Sequence, residues 1–431
     1  MRSNDTGIVI TGLGIVSVLG NNLPSHWSNF LAEESFMGIR DKTKLSGYIG
    51  AFDVDEYLSP STSLRRRLSK TEKLGIAALG QALQDSGLYH SRENISGAAL
   101  VLGVDQAIEG IKANFYRQVL SGDFNELSPQ DFIFTTPNCL GAQLSIIFGF
   151  RGPGITFTQG NVASARAIAH AFDLIRFGKA SIAAVGGINI ISPEVYSVFN
   201  NLGLLDSAKE GDKIDPSLSI NYPKGMTLSE GAGFLILESL SGARARGAKI
   251  YGTVSGISFG FSPVSKAYTS KDKEGIVQAM SAVLCLSDTS VEEVGFICAS
   301  ANFSPLLDRL EIEGLKYLFG KRLFDIPVGF PKFLLGETMA ASSVISVINT
   351  IQGIVEGRMP FPFILGKMDD KFHPYQSQVK SPGPNCCMVN SIDFFGTCSS
   401  MILKILKGQN GLNFEEECMS LSGTTNYKNM L

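Results

Sequence analysis

Hydrophobic and polar positions along the chain alternate between two signatures, one of buried strands and one of amphipathic helices. The opening run GIVITGLGIVSVLGNN is apolar almost throughout and carries no charge. It predicts a buried strand entered at residues 7–10, followed by a glycine-containing turn. Ile76, Leu79 and Leu83 recur at helical spacing, with Leu74 and Ala78 beside them and Gly87 just beyond, so residues 71–86 predict a helix. Strands are predicted at 98–103, at 155–158, in the apolar run ending at Gly186-Gly187, at 234–238, in KIYGTVSGISFG from Lys249, and at 386–390. A long helix of small residues is predicted to open at Asn161. Thr136 followed by Pro137 reads as an N-cap and first helical residue, which places a further helix before Phe150. The segment from Lys249 repeats the strand–helix–strand order of the one before it. This divides the chain into halves at 1–248 and 249–407, with a polar extension at 408–431.

Composition narrows the classes. A chain of 431 residues with 44% hydrophobic and 18% charged positions has material for a large core and little for surface. That balance hints at surface buried in an oligomer. A net charge of −3 leaves no nucleic-acid footprint. No apolar run reaches the 18 residues of a membrane span, and the N-terminus enters a strand directly, so neither a span nor a signal peptide is expected. Seven cysteines without CxxC spacing read as reduced thiols of a cytoplasmic protein. Adjacent Cys386 and Cys387 raise metal or redox chemistry but read as the two sides of a strand. No metal or cofactor is expected: the GxG near the N-terminus lacks the third glycine and the spaced acid of a dinucleotide fingerprint.

The chemistry-bearing segments resemble those of β-ketoacyl synthases. RGPGITFTQGNVASARAIAHAFDLIRFGKASIAAVGG, at 151–187, is similar to the family's nucleophile segment at matching spacing. The resemblance places the family's nucleophilic cysteine at Asn161. A helix N-terminus favours a thiolate, and the thiolate then carries the acyl chain as a thioester. An amide does neither; it is expected to accept the N–H groups there as an N-cap does. The family's first histidine, in a run like Asn-Ala-His-Gly-Thr-x-Thr-Pro, falls on Ser300 in Cys298-Ala299-Ser300-Ala301-Asn302-Phe303-Ser304-Pro305, with Asp308 and Glu311 following. The second, in a run like Lys-x-x-x-Gly-His, falls on Glu337, with Lys332 and Gly336 retained. In the family those imidazoles stabilise developing anions, which a carboxylate would repel. None of the four histidines stands at a motif position. His170 reads as core, and His26, His90 and His373 as surface or loop.

The resemblance covers residues 7 to about 407 and implies an α/β fold of the thiolase-like type, duplicated and layered (αβαβα), with the nucleophile helix at its centre. Ser229-Glu230-Gly231-Ala232-Gly233 is similar to the family's Gly-Glu-Gly-Ala-Gly turn. Asn390-Ser391-Ile392-Asp393-Phe394-Phe395-Gly396-Thr397-Cys398 stands where the family has Asn-Ser-Phe-Gly-Phe-Gly-Gly-Thr-Asn, the loop gating the acyl pocket. Asp393 and Phe395 replace glycines there, around Ile392 and Phe394. A stiffened gate and drift in a site without catalytic demand are both open.

Losing the cysteine while keeping the fold resembles the chain-length factors, or ketosynthase β-subunits, of type II polyketide synthases. Better-known members carry glutamine at that position. The resemblance implies a non-catalytic subunit in a pseudo-twofold heterodimer with an active ketosynthase. It would set polyketide or polyene chain length during elongation on an acyl carrier protein. It further implies that 131–148 lies at the interface, with Phe132, Phe134, Thr136, Cys139 and Leu140 as tunnel candidates or plain core. Arg65, Arg66 and Arg67, continued by Lys70 and Lys73, form a basic cluster, which is either a carrier-protein contact or a solvated turn. Two alternatives stay open. One is a homodimeric acyl-binding scaffold. The other is an enzyme built on Ser300, Glu337 and Lys332.

Overall fold

In the computed structural model, the residues described are 7–32, 46–58, 68–122, 124, 127, 129–205, 225–263, 272–357, 362–365, 372–374 and 386–405. The strands are β1 (Ile8–Ser17), β2 (Ser46–Gly47), β3 (Ala99–Val104), β4 (Gly154–Phe157), β5 (Ile182–Asn189), β6 (Leu228–Ser229) and β7 (Gly231–Ser239) in the first half. In the second half they are β8 (Gly252–Phe261), β9 (Phe296–Cys298), β10 (Val328–Gly329), β11 (Pro362–Leu365), β12 (Phe372–Pro374), β13 (Cys386–Ile392) and β14 (Thr397–Ile405).

Twelve of them join in one sheet, ordered β12-β11-β10-β9-β13-β14-β8-β1-β7-β5-β3-β4, while β2 pairs with β6. The order repeats. The run β4-β3-β5-β7-β1 has two parallel pairings followed by two antiparallel ones. The run β10-β9-β13-β14-β8 has the same sequence of pairings. The two meet along a short seam, where Val9 faces Thr253 and Ile10 faces Gly252. The two repeats are therefore continuous with one another in a single sheet.

Three apolar cores separate the layers. The central one holds the helices Ala163–Arg176 and Ser342–Val355 between the two sheet halves, packing Ile168, Val344 and Ile348 against Val185, Leu235 and Val389. The second of these helices is buried on nearly every side, as its all-round apolar sequence requires. One outer layer packs Lys70–Asp85 and Cys139–Phe148 on the first half. The other packs Glu274–Leu286 and Pro305–Phe319 on the second. This is the αβαβα order of a thiolase-like fold. Cys386 and Cys387 do face opposite sides of β13, Cys387 in the central core and Cys386 in the outer core of the second half. Among the described residues no helix is long and apolar enough to cross a membrane.

Several local expectations need correction. β1 does not stop at a glycine turn: it runs through Gly12 and Gly14 to Ser17. A Cβ on either glycine would collide with the Ala82 or Ala78 carbonyl, so the glycines let helix Lys70–Asp85 lie directly on the strand. That helix starts at Lys70 behind a capping box of Ser69 and Glu72. Thr136-Pro137 does not open a helix. It links Pro129–Phe134 to Cys139–Phe148, and the Thr136 hydroxyl donates back to the Ile133 carbonyl. His26 is not at the surface. It is fully buried, 2.7 Å from Ser17 Oγ and 2.9 Å from Asn349 Oδ1, and burial lowers its pKa to about 4. His170 is only partly buried, edge-on to Phe157, and its Nε2 has no hydrogen-bond partner. The extension at 408–431 lies outside the described residues.

Candidate functional site

Asn161 sits in the 3-10 turn Gly160–Val162 that leads into helix Ala163–Arg176, at the centre of the molecule and fully buried. Gly160 before it holds φ +51, and a Cβ there would strike the Asp393 carboxylate. The Asn161 side chain does not cap the helix, contrary to expectation. Its Nδ2 donates to Glu337 Oε2 at 3.1 Å and to the Ile392 carbonyl at 3.3 Å. Its Oδ1 is buried without a partner. Its carbonyl accepts from Ser343 Oγ at 3.0 Å, tying the two central helices together.

Glu337 is the hub. Its Oε2 accepts from Lys332 Nζ at 2.8 Å, Asn302 Nδ2 at 2.7 Å and Asn161 Nδ2, and its Oε1 takes the Met339 N–H at 2.9 Å. Its backbone is pinned as well, donating to Thr227 and accepting from Ser229 beside β6. Lys332 opens the one-turn helix Lys332–Leu335, and Gly336 at φ +76 turns the chain so that Glu337 folds back on the lysine. Lys332 also donates to Ser300 Oγ at 3.2 Å. That hydroxyl accepts the Ile392 N–H at 2.9 Å too. Side-chain exposure is 4% for Lys332 and 0% for Glu337. The pair is thus a dry, multiply hydrogen-bonded ion pair of the kind that survives burial.

The gate loop closes the other side. Asp393 Oδ1 accepts the Asn161 N–H at 3.0 Å and Oδ2 accepts the Phe395 N–H at 2.9 Å. Burial raises the Asp393 pKa to about 6, with the Asp105 and Glu337 charges adding to the rise and the two N–H bonds opposing it. Phe394 is buried edge-on against Phe199, whereas Phe395 is exposed. A turn in which Asp393 exchanges hydrogen bonds with Thr397 and Gly396 fixes the loop between β13 and β14.

Two further acids buttress Ser300. Glu311 Oε1 accepts the Ser300 N–H at 2.9 Å and Asn390 Nδ2 at 3.1 Å. Asp308 accepts the N–H groups of Asn302 and Phe303 at 3.1 and 2.9 Å. Burial raises both acids, Asp308 to about 7. The space among Ser300, Asn302, Leu307, Asp308, Glu311 and Ile392 has no room for a water molecule.

Asn161, Ser300, Lys332 with Glu337, and Asp393, from four separate segments of the sequence, therefore converge. The tunnel candidates do not form one group. Cys139 and Leu140 are buried and Thr136 is half-buried, while Phe132 is 58% exposed against Phe115 and Phe134 is partly buried. Arg65, Arg66 and Arg67 lie outside the described residues. Asn302, which shares Glu337 with Lys332, was not singled out by its sequence, because its motif position carried no expected chemistry. The Ser300 hydroxyl receives an ammonium and an N–H, and the lysine is matched by Glu337.

Comparison with known proteins agrees with the fold. Residues 5–243 match the β-ketoacyl synthase N-terminal domain and residues 251–363 the β-ketoacyl synthase C-terminal domain, so the chain belongs to the β-ketoacyl synthase family. It is 28% identical over 414 residues to 3-oxoacyl-[acyl-carrier-protein] synthase 2 of Vibrio cholerae, spanning 92% of this chain and 98% of that one. It is 28% identical over 361 residues to nodulation protein E of Rhizobium sp. strain N33, spanning 83% and 88%. A β-ketoacyl synthase from Burkholderia phymatum superposes with TM-score 0.78 at 18% identity, over 93% of this chain and 99% of that one. The ishigamide ketosynthase/chain length factor superposes with TM-score 0.74 at 20% identity, again over 93% and 99%.

Proposed function

We propose that this member of the β-ketoacyl synthase family is a non-catalytic ketosynthase-like subunit that pairs with an active ketosynthase and helps set the length of a carrier-bound chain. One observation carries the reading. The positions where the resemblance places a cysteine and two histidines hold Asn161, Ser300 and Glu337, and these are locked together with Lys332 in a buried network. Such a network gives the fold a packed, charge-matched centre, and it contains no group able to carry an acyl chain as a thioester. The pairing with a chain length factor in the ishigamide structure and the acyl-carrier protein in a related type II complex support the choice of partners.

The rival reading as an enzyme draws on the 3.2 Å contact between Ser300 Oγ and Lys332 Nζ. The 2.8 Å pairing of that lysine with Glu337 weighs against it as a base. Incubating the pure chain with acyl- and malonyl-carrier protein and weighing it intact separates the two. The proposal expects no mass increase and no new carbon–carbon bond. A stoichiometric acyl adduct that disappears in Ser300→Ala would establish the enzyme instead.

A further inference from the structure

Arg166, on the central helix Ala163–Arg176, is a cation without a counter-ion. The helix buries Ala163, Ala167, Ile168, Ala171 and Ile175 in the core, while Arg166, His170 and Asp173 form a stripe at helical spacing that is half-buried or exposed. The Arg166 guanidinium lies over the Phe259 ring of β8, 3.6 Å from its centre. Its Nε is shut off from water and donates to nothing among the described residues. Burial lowers its pKa, and no neighbouring charge bears on it. A half-desolvated cation with an unanswered donor is a cost to a lone chain. The same group suits an interface, because an arginine already held on a ring loses little freedom when a carboxylate meets it.

The neighbours say what kind of molecule brings that carboxylate. One turn along the helix, His170 meets Phe157 of β4, and its Nε2 is likewise shut in without a partner. The stripe thus runs from β4 to β8. Among the described residues β4 has a strand on one side only, and β8 loses β1 beyond Thr253. Unpaired strand edges call for a polypeptide, whereas a small anion would answer the arginine and leave the edges open. We propose that Arg166 is the anchor by which this chain selects its partner subunit, which lays a carboxylate of its own against the guanidinium across this flank. The inference rests on the subunit reading above and names how the partner is chosen. A second copy pairing through the same flank brings its own Arg166 and His170 to it. Asp173 is the only acid of that helix. It stands seven residues beyond Arg166, about 10 Å along the axis. A ketosynthase-like partner with an acid in place answers the arginine directly.

The test times the release of the two subunits. The full chain is co-expressed with its ketosynthase, and the dissociation rate of the one-to-one pair is measured by biolayer interferometry. Arg166→Gln should raise that rate at least tenfold, as loss of one member of a desolvated charge pair does. Lys179→Gln, which removes an exposed cation just beyond the same helix, should leave it unchanged. A parent chain that forms no pair removes the subunit reading and this inference together. A parent whose pair is as long-lived after Arg166→Gln removes the inference alone. Should Arg166→Gln not fold, Arg166→Lys supplies the second measurement. A zero-length carbodiimide joins the introduced amine to a touching carboxylate as an amide, with loss of one water, and peptide mass locates the bond. A cross-link from position 166 to an acid of the partner supports the proposal. A cross-link to Asp173 alone, or none in a folded pair, would overturn it.

Discussion

Lys332 holds its ammonium 2.8 Å from Glu337 and 3.2 Å from Ser300 Oγ, with almost no access to water. Burying such a pair is expensive unless both ends stay matched, so removing one partner strands the other. Lys332→Met should therefore destabilise the protein by about 3–5 kcal/mol in urea unfolding. Adding Glu337→Gln should recover much of the loss, because a neutral amide tolerates the same burial. A single variant within about 1 kcal/mol of the parent, the level of an exposed pair, would mean that the pair is not an energetic centre. At this scale motif spacing made Asn161, Ser300, Lys332 and Glu337 legible in advance. Their partners were not. The Asp393 contact with Asn161 spans 232 positions, and nothing local to either residue encodes it. His26 was misplaced for a related reason: its polar type suggested surface, while Ser17 and Asn349 satisfy both ring nitrogens inside the core.

Strong periodicity made the elements predictable, and their ends were set by contacts that periodicity does not see. Helix Lys70–Asp85 was legible from its leucines, but the glycines of β1 beneath it suggested a turn when they mark a close crossing of backbones. Thr136-Pro137 has the composition of a helix start. A proline disfavours helical torsions in the residue before it, and here that restriction falls in the link after helix Pro129–Phe134. Because that segment is helical, Phe132 and Phe134 point to different sides, one exposed and one partly buried. The exposed ring is the one available to a partner's chain. In the reconstituted pair, Phe132→Ala should lengthen the product by mass spectrometry. Phe134→Ala should mainly cost stability, about 1–3 kcal/mol, less than a fully buried ring. Unchanged product length in both variants, with folding and turnover intact, would remove this helix as the ruler.

Across the whole molecule, the duplicated strand order was visible as a repeated strand–helix–strand pattern, whereas the seam that joins the two halves through β1 and β8 was not. One end of the sheet is informative about assembly. Among the described residues β4 pairs only with β3, and its own side chains are exposed or partly so. Its own Ile155 is exposed, as is Ile146 at 69% on the helix Cys139–Phe148 that packs against it. A strand edge with exposed apolar side chains beside it is a liability in a lone protomer and an asset in an assembly. The proposed pair should accordingly bury more than about 2,000 Å², as obligate partners do. Reconstitution with its ketosynthase tests the division of labour most directly. Product should form from the one-to-one pair and carrier proteins, and vanish when the partner's nucleophilic cysteine is replaced by alanine. It should be absent from this chain alone. Product from this chain alone, or from a pair whose partner has lost its cysteine, would contradict a non-catalytic role.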